Sequence, residues 1–531
     1  MSVGTDPDRG TTETRSPDAS SSPGRRPWWV WAVPFAVLFA LLCVRNRFLF
    51  TTRLYEQGDG GANSILIEQA KHFTLLVGNY SRERFNHPGP AYMYVQALGE
   101  YLFQNALHLV PTAWNAHMLS VFALACAFVA LAVMVVYGWT RSLRGAAACL
   151  AVFAGFVIAY PPILNSDWMP YMYVPAYMVF IIAAGSVAAG RAQDGWIFAL
   201  TGWFLIHGHA CFLLFVPAVT ATVLVAVLWP RRHGLRARAG RFFREQRRNW
   251  VPVAAISALF LLPIVVNLVL HWPGDFGKYI SYGGSGRAGG HSPRRIIEYA
   301  LWFWWPHHHA WLAPLLGYPA ALAAVRWLSP VRLRGFGLAM LAVNVISSLA
   351  FLTYAAVGID DLTEYYIGYF YWSAPLVTVL VIVLAAVEAL PRRGALAARL
   401  GTAAALAAAL AGVAVLAVIP GTRTSTNDID QALPRVVATL AARAPGQMIV
   451  LHIDHPAWVE TTGFLVQAER TGVRACLDDP WFTFLMTKQF ICTPAQAASG
   501  KAYWFYTPGG LPSHAPVLLR FSGVAVVPVS P

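Results

Sequence analysis

Charged residues are scarce in this chain. Aspartate, glutamate, lysine and arginine make up 12% of the 531 residues, whereas 57% are hydrophobic. Water-soluble globular proteins carry about 25% charged residues. The composition therefore excludes a water-soluble globular protein and indicates a polytopic membrane protein.

Acidic residues are scarcer than basic ones, 25 against 39, and the formal net charge is +14. A nucleic-acid-binding protein would concentrate such an excess on one soluble face. Here the arginines occur in short clusters between apolar stretches, the densest at 231–248. We therefore expect no nucleic-acid partner, and we expect the cluster to rest on anionic lipid headgroups as a topology anchor.

Cysteine is also rare, with six residues in the chain. Four lie in apolar stretches, where they are expected to be inert: Cys43, Cys126, Cys149 and Cys211. Cys476 and Cys492 lie in the polar C-terminal region. A disulfide between these two would imply that the region faces an oxidising compartment.

A signal-peptide cleavage site is missing after the first apolar stretch, 28–44. Arg45-Asn46-Arg47 stand where small residues would be needed, so this stretch is expected to be an uncleaved anchor. Residues 1–27 are rich in Ser, Thr, Pro, Asp and Gly and show no apolar periodicity. They are predicted to be a disordered cytoplasmic tail.

About eleven apolar stretches are long enough to be read as membrane spans. They lie near 28–44, 113–139, 145–163, 171–190, 195–209, 210–229, 251–271, 311–328, 336–357, 367–390 and 400–419. With a cytoplasmic N-terminus, every loop predicted inside carries arginine, as the positive-inside rule requires. The chain after residue 420 is then extracytoplasmic.

Residues 195–229 are too few for two full membrane crossings, which need about 60 Å of helix. Both helices should be short. Their turn, Ile206-His207-Gly208-His209, would then lie slightly below the outer surface in a polar depression. Interfacial histidines without a further role are the alternative.

The first outward loop, 45–111, is too long for a simple connector. Apolar periodicity predicts two amphipathic helices in it, at 62–77 and 91–109, along the membrane surface. Asp59 lies before them among Gly58, Gly60 and Gly61. The glycines would let a large ligand approach its carboxylate, although Asp59 is also suited to cap a helix that begins near Ala62.

The pattern changes after residue 420 to that of a small α/β domain of ordinary size. Helices are predicted at 428–443 and 456–471, and strands at 448–453, 473–476 and 524–527. The predicted domains are thus a transmembrane domain at 28–420 and an extracytoplasmic α/β domain at 421–531.

These features resemble the GT-C superfamily of integral-membrane glycosyltransferases, which take a sugar from a polyprenyl-phosphate donor. The resemblance rests on Asp59 in the first outward loop, the surface helices of that loop and the soluble C-terminal domain. The segment 76–82 followed by Asn86-His87-Pro88-Gly89-Pro90 is similar to a subset of bacterial members, and 207–209 belongs to the same pattern. The resemblance implies a multi-pass protein of the bacterial inner membrane.

The resemblance also implies a role for Asp59. In such enzymes the first-loop carboxylate deprotonates or orients the hydroxyl of the acceptor. Many relatives carry two adjacent acids, whereas here Gly60 follows Asp59 and Glu56 lies three residues upstream. The second acid is therefore unassigned, and Asp167 is a further catalytic candidate.

The departing phosphate needs cationic or hydrogen-bonding groups, and arginine suits it through its bidentate fork. The candidate substrate-binding residues on the outward side are Glu56, Arg82, Arg84, Asn86, His87, His207, His209, Lys278, Arg294 and Arg295. Headgroup contacts are the alternative for Arg82 and Arg84. Asn86 and His87 would otherwise stabilise only their own turn.

No cofactor is required by the sequence. A divalent ion held by Asp59 and a second acid is compatible with it, but no ligand spacing demands one. His452, Asp454 and His455 lack a fourth metal ligand. Asp360 and its acidic neighbours are expected to be a solvated loop face.

The leading hypothesis is a membrane glycosyltransferase that moves a sugar from a polyprenyl-phosphate carrier to an extracytoplasmic glycan, lipid or protein. A ligase or polymerase of polyprenyl-diphosphate-linked glycans is the first alternative. A lipid or glycan transporter or flippase is the second, and the few acids in the spans and the lack of an evident inverted repeat argue against it.

Overall fold

The computed structural model describes residues 26–228, 246–284, 290–305, 309–418 and 429–529. These residues form a helical body and a C-terminal α/β domain. The predicted disordered tail lies outside the described residues except at its end, as does most of the arginine cluster at 231–248.

The first half of the helical body runs to the pair of short spans. Its helices are α1 (Trp29–Arg45), α2 (Gly58–Lys71), α3 (Ala91–Gly99), α4 (Ala113–Thr140), α5 (Leu143–Ala159), α6 (Pro162–Asn165), α7 (Met169–Ala188), α8 (Gly195–Gly208) and α9 (Phe212–Leu228). A π-helix, Glu100–Ala106, continues α3. Hydroxyl caps begin two helices, because Thr112 and Ser142 accept hydrogen bonds from the first-turn N–H groups of α4 and α5.

The second half contains the remaining helices of the body. These are α10 (Arg247–His271), α11 (Gly274–Gly284), α12 (Pro293–Trp302), α13 (Leu312–Ala323), α14 (Val331–Val357), α15 (Ser373–Ala389) and α16 (Ala395–Val418). A 3₁₀ segment, Tyr365–Trp372, leads into α15. Each apolar stretch predicted from the sequence coincides with a helix.

Within the described residues, six helical stretches are long and apolar enough to cross a membrane. They are Ala113–Thr140, Met169–Ala188, Arg247–His271, Val331–Val357, Tyr365–Arg392 and Ala395–Val418. Shorter apolar helices accompany them, and the chain is a multi-pass membrane protein. The count of about eleven crossings stays a prediction.

Burial shows which helices form the centre of the body. The apolar windows of α4 and α7 are 78% and 89% buried, whereas that of α10 is 11% buried. A helix that is apolar on all sides and buried on all sides belongs in the interior. α4 and α7 are therefore the core, and α10 lies at the periphery.

The C-terminal domain contains α17 (Leu433–Arg443), α18 (Trp458–Arg470), α19 (Thr483–Met486) and α20 (Pro494–Ser499). Its strands are β3 (Ile449–Ile453), β4 (Ala475–Leu477), β5 (Lys501–Tyr506), β6 (Leu519–Phe521) and β7 (Val524–Pro528), in the spatial order β4-β3-β5-β7-β6. β3 is parallel to β4 and β5, and β7 is antiparallel to β5 and β6. Cys476 and Cys492 form a disulfide.

The first loop and the C-terminal domain are joined directly. β1 (Tyr55–Glu56) of the loop pairs antiparallel with β2 (Ile429–Asp430), which precedes α17. The predicted helix at 428–443 therefore starts later, at Leu433. The carboxylate of Asp430 accepts the N–H of Ala432 and turns the chain into it.

The structure corrects the expectation that the helix after Asp59 lies on the membrane surface. Ala62 and Ile65 of α2 are buried in the core of the C-terminal domain. Leu66 and Ile67, on the other face, are buried in the core of the helical body. α2 thus lies between two cores and positions the residue at its start, Asp59.

Candidate active site

Asp59 lies in the first turn of α2 and does not cap it. The N-cap residue is Gln57, and no side-chain cap bond is made there. One carboxylate oxygen of Asp59 accepts a hydrogen bond from the Tyr80 hydroxyl, and the other accepts from Trp168 Nε1 at 2.8 Å. Two donors from distant segments therefore fix this carboxylate, and sequence reasoning missed both.

Asp59 lines a cavity of about 230 Å³ between the first loop, the helical body and the 3₁₀ segment before α15. Of the residues predicted to form the site, Arg82, His87 and His209 line it as well. The full lining is Asp59, Asn63, Asn79, Tyr80, Ser81, Arg82, Glu83, Phe85, His87, Trp168, Met169, Pro170, Tyr173, His209, Tyr282, Tyr354, Gly358, Asp360, Tyr366, Ile367 and Phe370. We call this space the central cavity.

The turn at 86–90 and the turn at 207–209, far apart in sequence, interlock in the structure. The N–H of Gly89 donates to the carbonyl of His207 at 3.1 Å, and the N–H of Gly78 donates to the carbonyl of His87 at 2.8 Å. A Cβ atom on Gly89 would overlap the His207 ring. Only glycine permits this approach, so the two motifs form one structural unit.

His87 and His209 are neutral N–H donors at the wall of the central cavity. The Nδ1 atom of His87 accepts the N–H of Ala210 at 3.2 Å, and that of His209 accepts the N–H of Cys211 at 3.1 Å. The proton of each neutral ring therefore resides on Nε2. Burial, together with the neighbouring His209, lowers the pKa of His87 well below its usual value.

Arg82 lines the central cavity, and its positive charge is paired with a carboxylate. It forms an ion pair with Asp360, and Glu364 lies 3.9 Å away. Asp360 also lines the cavity, although its loop was expected to be a solvated face. No local pattern in the sequence connects Arg82 with a loop 278 residues further on.

Asp167 and His207 lie behind the cavity wall. Asp167 Oδ2 accepts from Trp114 Nε1 at 2.9 Å, and an added Cβ on Gly60 would be 3.9 Å from that oxygen. His207 is buried, and its Nε2 atom is 2.8 Å from the carbonyl of Phe260. Neither side chain lines the cavity.

Arg84, Asn86 and Lys278 line a different space, a cleft of about 760 Å³ that also includes His271 and Lys488. Lys278 Nζ donates to the carbonyl of Arg84 at 3.1 Å. We call this space the basic cleft.

The two arginines of α12 lie in neither space. Arg294 is exposed and pairs with Glu298 at 2.8 Å, and Arg295 is also exposed. The structure therefore divides the predicted phosphate partners among four places: the central cavity, the wall behind it, the basic cleft and the exposed face of α12.

Glu56 belongs to a buried charge cluster around α2. Arg470 of α18 contacts Glu56 at 2.8 Å and Glu68 at 2.9 Å. Lys71 pairs with Glu68 and, at 2.7 Å, with Glu100. Burial by itself would raise the pKa of the Glu56 carboxyl, but the charges of Arg470 and His117 bring it below the usual value.

No group of three or more His, Cys, Asp or Glu side chains in the described part of the chain is arranged to hold a metal ion. Asp454 instead accepts hydrogen bonds from the backbone and hydroxyl of Thr507, and His452 lies 3.6 Å from Asp478. The described residues therefore contain no site of this kind for the divalent ion with which the sequence is compatible.

The fold has solved counterparts. ArnT from Cupriavidus metallidurans bound to undecaprenyl phosphate superposes with a TM-score of 0.55 at 12% identity, covering 94% of this chain and 98% of that one. ArnT in the apo state gives 0.51 at 14% identity, covering 94% and 97%. ArnT is a GT-C glycosyltransferase. The chain has the GT-C fold.

The GT-C fold expected from the sequence is thus confirmed over nearly the whole chain. An oligosaccharyltransferase from Archaeoglobus fulgidus is also similar, with a TM-score of 0.41 at 13% identity, covering 91% of this chain and 72% of that one, but a likeness this weak adds nothing to the assignment. No family model and no curated protein matches the sequence.

Proposed function

We propose that this protein is a glycosyltransferase that transfers a sugar from a polyprenyl-phosphate carrier to an acceptor hydroxyl on the extracytoplasmic side of the membrane. The observation that carries the proposal is the Asp59 carboxylate, held by Tyr80 and Trp168 at the wall of the central cavity. The GT-C fold supports it, because ArnT, with the same fold, has been seen bound to undecaprenyl phosphate.

In the proposed reaction the acceptor oxygen forms a bond to the anomeric carbon of the sugar. The bond from that carbon to the phosphate oxygen breaks, and the polyprenyl phosphate leaves with the electron pair. The proton of the acceptor hydroxyl passes to Asp59. A carboxylate fixed by two donors is pre-oriented for this transfer, so no reorganisation is needed during the reaction.

The leaving phosphate needs hydrogen-bond donors in the same cavity. His87 and His209 offer Nε2–H groups on rings 4.2 Å apart, and Arg82 offers its guanidinium. Because Arg82 is paired with Asp360, we expect the phosphate to compete with that carboxylate. The basic cleft, with Arg84 and Lys278, is then a path for the anionic carrier rather than the place of bond cleavage.

Substituting Asp59 with Asn tests the proposal. The amide keeps the size of the side chain but cannot accept a proton, so transfer of label from a polyprenyl-phosphate sugar to an envelope acceptor should fall by about 100-fold or more. Asp361→Asn is the matched control, because Asp361 is an exposed acid that does not line the central cavity. Equal transfer by the two variants would show that Asp59 has no catalytic role.

The donor is tested separately with the unsubstituted protein. Sugar carried on polyprenyl monophosphate should be transferred, whereas sugar carried on polyprenyl diphosphate should not. The opposite preference would favour the glycan ligase or polymerase, and movement of labelled lipid across proteoliposomes without a covalent product would favour a transporter.

A further inference from the structure

An aromatic groove of about 430 Å³ lies beside the central cavity. Its walls include Trp458, Trp481 and Phe484 of the C-terminal domain, with His455 at the same surface. We call it the aromatic groove. Trp481 is 41% exposed, and its ring meets that of Phe484 edge-on with centroids 5.3 Å apart. The groove therefore presents a cluster of apolar rings rather than a single one, as binding surfaces do.

The groove is continuous with the proposed active site. Tyr80 and Arg82 line both spaces. The Tyr80 hydroxyl donates to Asp59, while the Tyr80 ring meets Phe484 edge-on with centroids 6.0 Å apart. One side chain therefore forms the boundary between the groove and the carboxylate.

The segment that carries Trp481 is held rigidly. The Cys476–Cys492 disulfide closes the loop that contains Trp481 and Phe484. The carboxylate of Asp479 accepts the N–H of Trp481 at 2.9 Å, and the Arg84 guanidinium lies 4.8 Å from the centre of the indole. Such preorganisation lowers the entropic cost of binding a ligand.

We propose that the aromatic groove binds the acceptor and that the acceptor is a carbohydrate chain; this rests on the proposed function. Sugar rings present apolar C–H faces that pack on aromatic rings, and their hydroxyl groups pair with polar side chains at the rim, here Arg82 and His455. None of the groove residues belongs to a membrane-spanning helix. A lipid tail as occupant is therefore disfavoured, and a glycan that enters over the C-terminal domain reaches Asp59 past Tyr80.

The test measures binding without turnover. Full-length protein with Asp59→Asn is placed in nanodiscs and titrated against mannan, arabinan and galactan oligosaccharides labelled at the reducing end, and fluorescence polarisation is recorded. We expect saturable binding of at least one oligosaccharide, weakened about tenfold or more by Trp481→Ala. Trp481→Phe should retain most of the affinity, because the aromatic face is kept.

Trp504→Ala is the matched control, since Trp504 is a partly exposed tryptophan of β5 outside the groove. It should leave binding unchanged, and thermal unfolding of each variant confirms that it is folded. No binding by any oligosaccharide, or equal weakening by Trp481→Ala and Trp504→Ala, would overturn the groove assignment.

Different results would contradict the catalytic role of Asp59 and the assignment of the aromatic groove. If Asp59→Asn abolishes transfer and Trp481→Ala binds every oligosaccharide normally, the groove assignment fails and the catalytic one stands. If Asp59→Asn retains transfer while Trp481→Ala loses binding, the groove stands and the role of Asp59 fails. With an active protein, Trp481→Ala should raise the KM for the acceptor. Because Trp481 also lines the basic cleft, a rise in the KM for the donor alone would contradict the groove assignment.

Discussion

His87, in the first loop, makes the stability of the folded protein depend on pH. Its folded-state pKa lies well below the ordinary value of 6.5, because burial, together with the neighbouring His209, disfavours the charged ring. Below pH 6.5 the unfolded chain therefore binds more protons than the folded protein. The stability that this ring contributes is present above pH 6.5 and is lost as the pH falls towards the lowered pKa.

We expect the apparent melting temperature in detergent to fall by several degrees between pH 7 and pH 5. Replacing His87 with asparagine should flatten this dependence, because the amide oxygen can still accept the N–H group of Ala210. The folded-state pKa of the buried Glu100 is lowered to about 2, so its contribution is lost only below its ordinary value of 4.5. An equally steep profile in the His87→Asn variant would contradict the assignment.

At the scale of elements, α2 is the part of the chain on which the site depends. It carries Asp59 at its start and is packed between the helical body and α18. Arg470 of α18, whose side chain is 17% exposed, lies between the buried Glu56 and the partly buried Glu68, and removing it leaves the buried Glu56 charge uncompensated.

Arg470→Met should destabilise the protein by about 3–5 kcal/mol, the usual cost of breaking a buried ion pair. The measurement is thermal unfolding followed by limited proteolysis, because the junction between α2 and the C-terminal domain should open first. Adding Glu56→Gln and Glu68→Gln should recover part of the loss. Arg294→Met, which removes an exposed pair, should have no comparable effect; equal effects of the two single variants would refute the role of the cluster.

The sequence predicted the elements better than their partners. Apolar stretches reveal helices because length and composition are local properties, and the local sequence likewise indicates the turns at 86–90 and 207–209, but not that they interlock. The contacts of Asp59 with Trp168 and of Arg82 with Asp360 join residues 109 and 278 positions apart. The residue type at one position does not indicate which distant residue will contact it. The burial of α2 likewise depends on a domain that begins more than 350 residues later.

At the scale of the whole molecule, three of the arginine-bearing loops predicted to be cytoplasmic lie close together. Arg144 and Arg332, from two of these loops, lie 3.4 and 3.8 Å from the buried Glu388. Arg392 donates to the carbonyl of Ser329 at 3.2 Å. Asp59 and Tyr80 of the first loop instead line the central cavity, and Tyr80 also contacts Phe484 of the C-terminal domain. This grouping is what the predicted topology requires of loops on one side of the membrane, and the assignment of that side to the cytoplasm stays a prediction.

Labelling of single cysteines in intact cells tests that topology. Ser513→Cys, exposed in the C-terminal domain, should react with a membrane-impermeant maleimide, whereas Ala395→Cys, exposed at the start of α16, should react only after permeabilisation. The unsubstituted chain gives the background of its free cysteines, of which Cys126, Cys149 and Cys211 are buried and Cys43 is partly exposed in α1, while Cys476 is joined to Cys492. The reverse pattern would place Asp59 in the cytoplasm and exclude an extracytoplasmic acceptor. The expected pattern requires a donor whose sugar already faces outward, because no nucleotide-activated sugar is expected on that side.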